Sequence, residues 1–163
     1  MTLTWHKADS FLWAGDKKIH VWSKVRNEVN GLRPKQNIPD LVYSMDKDGA
    51  KKYPVMPRSF PVGVWKITGF NPHTELDDDG RPKDGYLYPV FISTNAYAML
   101  DIWSLDENGC YLKNTGEKCR DYFYGLHFSN SDWTHGCIRV AYQADVRWLW
   151  ANCQAGDDFI VTE

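Results

Sequence analysis

The chain has 163 residues, 43% of them hydrophobic and 25% charged, which suits one domain with a sizeable core. With 19 Lys and Arg against 21 Asp and Glu the formal charge is −2, so no global basic field points to nucleic acid or an anionic membrane surface. No apolar run approaches the ~20 residues of a membrane-spanning helix. The start, MTLTWHKADSFLWAGDKK, lacks the basic region, long apolar stretch and small-residue cleavage site of a signal peptide.

In chain order, FLWAGDKKIHVWS predicts two short strands around Gly15-Asp16, since Ile19, Val21 and Trp22 favour extended backbone. Residues 27–40 carry two prolines and a glycine and predict a loop. LVYSM predicts a short strand and DKDGAKKY a polar connector. MPRSFPVGVWKITGF predicts a Pro-rich turn and a strand through Val64, Trp65 and Ile67. NPHTELDDDGRPKDG is a long polar loop, and YLYPVFIST and AYAMLDIWSL are extended. Cys110 and Cys119 bracket the turn-rich LKNTGEK, a spacing that would let them face each other across a hairpin and bridge in an oxidising compartment. DYFYGLHF alternates, with Tyr122, Tyr124, Leu126 and Phe128 on one face and Phe123, Gly125 and His127 on the other. In AYQADVRWLWANCQAG the period changes. Val146, Leu149, Trp150 and Cys153 make one helical stripe, with Gly156 placed to stop it. FIVTE closes the chain as a strand. The expectation is a single domain over residues 1–163, mostly β with one or two helices.

The 8 tryptophans and 15% aromatic content are ordinary material for core packing, although aromatic faces also bind sugars and bases. Chemistry concentrates in residues 124–142, YGLHFSNSDWTHGCIRVAY. Cys137 has a histidine ten residues upstream, a glycine beside it and a predicted helix after it. A cysteine nucleophile needs a base in hydrogen-bond reach, oxyanion donors and an open backbone. His127 supplies the base if its strand lies beside the cysteine turn. Gly136 opens the backbone, and residues 134–137 are a run of N–H donors. A helix start just after the thiol would also lower its pKa. A zinc site from His127, His135 and Cys137, completed by His73 or Asp132, is the metal alternative, but the spacing matches no common zinc pattern. A buried structural corner is the third possibility. The run Asp77-Asp78-Asp79-Gly80 suggests a calcium loop, yet Tyr86 falls where a bidentate Glu is needed and Pro82 interrupts it. A solvated turn is the simpler reading, and no metal or cofactor is expected.

Thr134-His135-Gly136-Cys137-Ile138-Arg139, with His127 upstream, resembles the signature of the L,D-transpeptidase catalytic-domain family. MPRSFPVGVWKI resembles that family's strand entry, with Gly63, Trp65 and Ile67 in register. The strand ending in His127 and the closing helix with GDDFIV are also similar. The resemblance covers roughly residues 38–163 and is strong over 124–140. Phe128 stands where the family usually has glycine, and the gap from His127 to Cys137 is short. The acidic loop 74–85 and the Cys110–Cys119 segment look like insertions.

The resemblance implies a β-sandwich-like fold and a cysteine enzyme acting on peptidoglycan stem peptides at the L,D bond. Cys137 would be the nucleophile and His127 the base, with N–H groups of His135, Gly136 and Cys137 holding the oxyanion. Arg139, Thr134, Trp133 and Tyr124 are candidates to contact substrate. The thioester would pass to an amine or to water. Short-gap relatives occur among phage lysis proteins, or endolysins, and among bacterial toxins. That setting suits synthesis in the cytoplasm and action on the cell wall or periplasm after release or delivery, with an immunity or delivery partner in the toxin case. The competing class is a non-catalytic peptidoglycan-binding module of the same fold.

Overall fold

The first strand is one the residue pattern left unassigned. TLTWH alternates, Leu3 and Trp5 are buried, and β1 (Thr2–His6) results. The fold comes from a computed structural model, which describes residues 1–23, 43–45, 52–56, 58–72, 78–79, 90–107, 111–122, 124–128 and 136–163. β2 (Phe11–Ala14) and β3 (Lys17–Trp22) form the predicted hairpin, with Gly15 at φ 59 in its turn. Next come β4 (Tyr43–Met45), β5 (Lys52–Pro54), β6 (Gly63–Pro72) and β7 (Val90–Thr94). β8 (Ala98–Leu105), β9 (Tyr111–Asp121), β10 (Gly125–Phe128) and β11 (Ile138–Val140) follow. The helix α1 (Gln143–Asn152) and β12 (Asp158–Thr162) end the chain.

Eight strands close on themselves in the order β1-β12-β6-β7-β10-β11-β3-β2. The expected mostly-β architecture is present, and its closure has a simple origin. β3 pairs with β2 on one side and β11 on the other, and β6 bridges β12 and β7. These two strands serve as corners that join what would otherwise be two layers. In β6 the register shifts between Ile67 and Gly69, the kind of irregularity that turns a corner. The enclosed core contains Leu3, Leu12, Ile19, Phe60, Ile92, Leu126, Ile138 and Phe159, all at 0% exposure.

The helix forms where the period predicts it, but its buried stripe is narrower. Val146 and Leu149 are buried, whereas Trp150 is 46% exposed. The C-cap is Cys153, whose N–H donates to the Leu149 carbonyl at 2.8 Å, and Gly156 sits in the turn beyond it. No helix among the described residues is long and apolar enough to cross a membrane.

The segment LKNTGEK does not make a hairpin. Residues 111–121 are one strand paired with β8, from Leu105↔Tyr111 to Leu100↔Cys119. The turn signal is spent locally: Gly116 takes φ 82 and donates its N–H to Asn114 Oδ1 at 2.9 Å, beside a register shift. Tyr111 and Cys119 therefore stand on the order of 20 Å apart along an extended strand, so the hairpin geometry expected to bring a bridge partner to Cys119 is absent. Cys110 lies outside the described residues. β8 and β9 carry a small core of their own in Val55, Leu100, Ile102 and Cys119.

Leu149→Ala should cost about 2–5 kcal/mol in a denaturant melt, because it empties a fully enclosed site. Trp150→Ala should stay within roughly 0.5 kcal/mol. Equal losses would mean that the helix docks through a broader face.

Candidate active site

β10 and β11 run parallel, with Leu126 opposite Ile138, His127 opposite Arg139 and Phe128 opposite Val140. Alternation then sorts the side chains. Leu126, Ile138 and Val140 face the core at 0% exposure, and Gly125, His127 and Arg139 take the opposite face. Cys137 precedes Ile138, so continuing the register places it beside Gly125. His127 becomes its diagonal neighbour, about 7–8 Å away at Cα, a span that thiol and imidazole side chains can close.

The flanking strands hold this pair in place. On one side β7 runs antiparallel to β10, with Ser93 opposite Gly125 and Ile92 opposite Leu126. The next β7 residue on the His127 face, Phe91, stacks its ring on the imidazole at 5.9 Å and 28°. On the other side β3 places Trp22 opposite Arg139, whose guanidinium carbon lies 5.9 Å from the indole centroid. Trp22 also lines a cleft of about 310 Å³ shared with Lys7, Asp9 and His20. The half-buried His127 and Arg139 thus sit between two aromatic side chains on one face.

His127 Nδ1 lies 3.2 Å from the Phe128 carbonyl oxygen. A carbonyl only accepts, so this hydrogen bond requires the proton on Nδ1 and leaves the lone pair on Nε2. Phe128 does not crowd the site, because its side chain alternates away and packs against the main core. The glycine usual at that position in the resembled family is therefore not needed for access to the histidine face.

Two glycines are required for steric reasons. A Cβ at Gly125 would collide with the Phe91 ring and the Ile92 carbonyl. Gly136 is buried at φ +128, and a Cβ there would stand 2.6 Å from the Arg58 carbonyl and 2.7 Å from Tyr124 Cε1.

Cys137 departs from the electrostatics that the sequence suggests. The residue is followed by β11, because Ile138-Arg139-Val140 is a β-favouring run that pairs with β10 and β3 before the helix begins at Gln143. Among the described residues no helix N-terminus adjoins the thiol. Burial pushes its pKa up to about 12, the Gly125 backbone N–H donating to the sulfur pulls it down, and the Asp121 carboxylate pushes it up. At neutral pH the resting group is the thiol.

Tyr124 is 1% exposed and lies in the core, packed edge-on against Phe60 at 5.5 Å. A ring so enclosed does not offer a face to a ligand arriving from solvent. Trp133, Thr134 and His135 lie outside the described residues, as do His73, Asp132 and Asp77. Asp78 and Asp79 are exposed in a turn. Among the described residues no three metal-ligating side chains cluster. Sequence reasoning missed Phe91 and Asp121, and it placed Gly125 on the His127 face without giving it a role. A glycine inside the alternating DYFYGLHF is a recognisable sign of close backbone approach. The neighbours that strand pairing brings to it carry no sequence signal.

Gly136→Ala should lower stability by about 1–3 kcal/mol and slow alkylation of Cys137 by displacing the turn, as a thermal melt and peptide-mapped labelling would show. Asp121→Asn removes a charge that opposes the thiolate, so it should speed Cys137 alkylation several-fold near pH 9. Slower labelling in that variant would reverse the sign assigned to Asp121.

The family model of the L,D-transpeptidase catalytic domain matches residues 18–161, which include β10, β11 and Cys137. No curated protein and no solved structure matches the chain.

Proposed function

Since the chain belongs to the L,D-transpeptidase catalytic-domain family, we propose that it cleaves and re-forms, or hydrolyses, the L,D bond of peptidoglycan stem peptides through a thioester on Cys137. Membership makes it a cysteine catalytic domain of the type that acts on peptidoglycan. What supports this reaction is the parallel pairing of β10 with β11, which sets His127 on the face away from the core and, continued one residue back, brings Cys137 to that face, together with the Nδ1 hydrogen bond that leaves the histidine lone pair on Nε2.

The steps follow from that arrangement. His127 Nε2 takes the proton from Cys137 Sγ as the sulfur bonds to the carbonyl carbon between an L-centre and the following D-residue. The oxygen becomes an oxyanion, for which the backbone N–H groups of Gly136 and Cys137 are the donors proposed among the described residues. The C–N bond breaks, and the leaving amine takes the proton from His127. An acceptor amine or water then gives its proton to Nε2 and attacks the thioester, and the sulfur leaves and is reprotonated. Because the resting thiol is neutral, proton transfer accompanies attack, and His127 acts as a general base within the chemical step. Arg139, steadied by Trp22, offers a fork for a stem-peptide carboxylate.

The test is incubation of the protein with disaccharide-tetrapeptide and a free D-amino acid, with products read by mass spectrometry. The protein should release or exchange the terminal D-residue, and Cys137→Ala and His127→Ala should not. Binding of sacculi without turnover would instead support the non-catalytic module. Arg139→Gln should raise KM about tenfold with little change in kcat, since it removes a contact made equally in ground and transition states.

A further inference from the structure

Two polar side-chain atoms among the described residues are buried with no hydrogen-bond partner, and one is the hydroxyl of Tyr124. Such an orphan costs about 1–3 kcal/mol, whereas phenylalanine would fill the same space without that penalty. The ring is nevertheless held firmly. Thr94 Oγ1 donates to the Tyr124 carbonyl at 2.6 Å, Phe60 packs edge-on, and Cε1 abuts the space above Gly136. The register that sets Leu126 opposite Ile138 brings Tyr124 beside Gly136, the residue next to Cys137.

From this juxtaposition we propose that the Tyr124 hydroxyl is an O–H dipole held behind Gly136 for the negative charge that develops on the Cys137 sulfur. The inference rests on Cys137 being the nucleophile. The charged and titratable groups that act on this hydroxyl are Asp121 from β9, Cys137 from the turn and Arg58 from the segment before β6. Burial, then Asp121 and Cys137, raises the phenol above its usual value, so it stays protonated and keeps a proton to donate. The resting neutral thiol makes little demand on a donor. A thiolate does, both during attack and when it leaves the thioester. An interaction felt only when charge is present lowers the barrier without stabilising the ground state. An unpartnered hydroxyl in the resting protein is what such an arrangement looks like.

Tyr124→Phe in the full chain tests this with three readouts. The melting temperature should hold or rise, because an unsatisfied group has been deleted. Peptide-mapped alkylation of Cys137 by iodoacetamide should move to higher pH. The kcat for the tetrapeptide should fall tenfold or more with KM unchanged. A lower melting temperature would show that the hydroxyl has a structural partner and overturn the inference. So would wild-type labelling and kcat in a variant of unchanged or higher stability. If the wild-type protein has no turnover, the proposed function fails, while the labelling profile still decides whether the hydroxyl supports the thiolate.

Discussion

The site depends on two short strands lying parallel. Because β10 and β11 pair through Leu126↔Ile138 and His127↔Arg139, one alternation buries the apolar residues and gathers the polar ones. A one-residue slip would turn His127 into the core and Leu126 toward solvent. The core therefore enforces the register, and the register sets His127 and Arg139 on the face away from the core. Gly125 and Gly136 are the local conditions for this. Each occupies a position where a side chain would meet backbone and an aromatic ring, so β10 can lie against both β7 and the cysteine turn.

The electrostatics follow from enclosure. A surface thiol would be partly ionised at mildly alkaline pH. Here burial dominates and keeps Cys137 protonated at rest. In the proposed reaction a protonated thiol needs a base at the moment of attack, and the Phe128 carbonyl sets the His127 tautomer that carries its lone pair on Nε2. Phe91 fixes the plane of the ring. Arg139 is directed by Trp22 in the same way. The orienting groups come from β3 and β7, strands far from the signature segment in sequence and adjacent to it only through the barrel.

Much of this was legible in the residues. Alternation in DYFYGLHF put Gly125 and His127 on one face, and the helical stripe found α1. The family resemblance rested on the residues around Cys137. Other parts were not legible. The strand at Ile138-Arg139-Val140 was hidden by its brevity and by the helix that follows, and that error put a helix dipole next to the thiol. LKNTGEK carries hairpin residues, but β8 offered a partner along the whole of β9, so cross-strand pairing overrode the local turn signal. The burial of Tyr124 depends on Phe60 and Gly136 meeting it from other parts of the chain.

The most direct test of the central claim is detection of the acyl-enzyme. Stem tetrapeptide would be mixed with the protein, quenched in acid on the millisecond-to-second scale, digested and mapped by mass spectrometry. The account predicts a hydroxylamine-labile adduct, equal in mass to the acyl part of the stem, on the peptide that contains Cys137, and its absence in His127→Ala. Substrate consumption with no adduct, or an adduct on another residue, would contradict it.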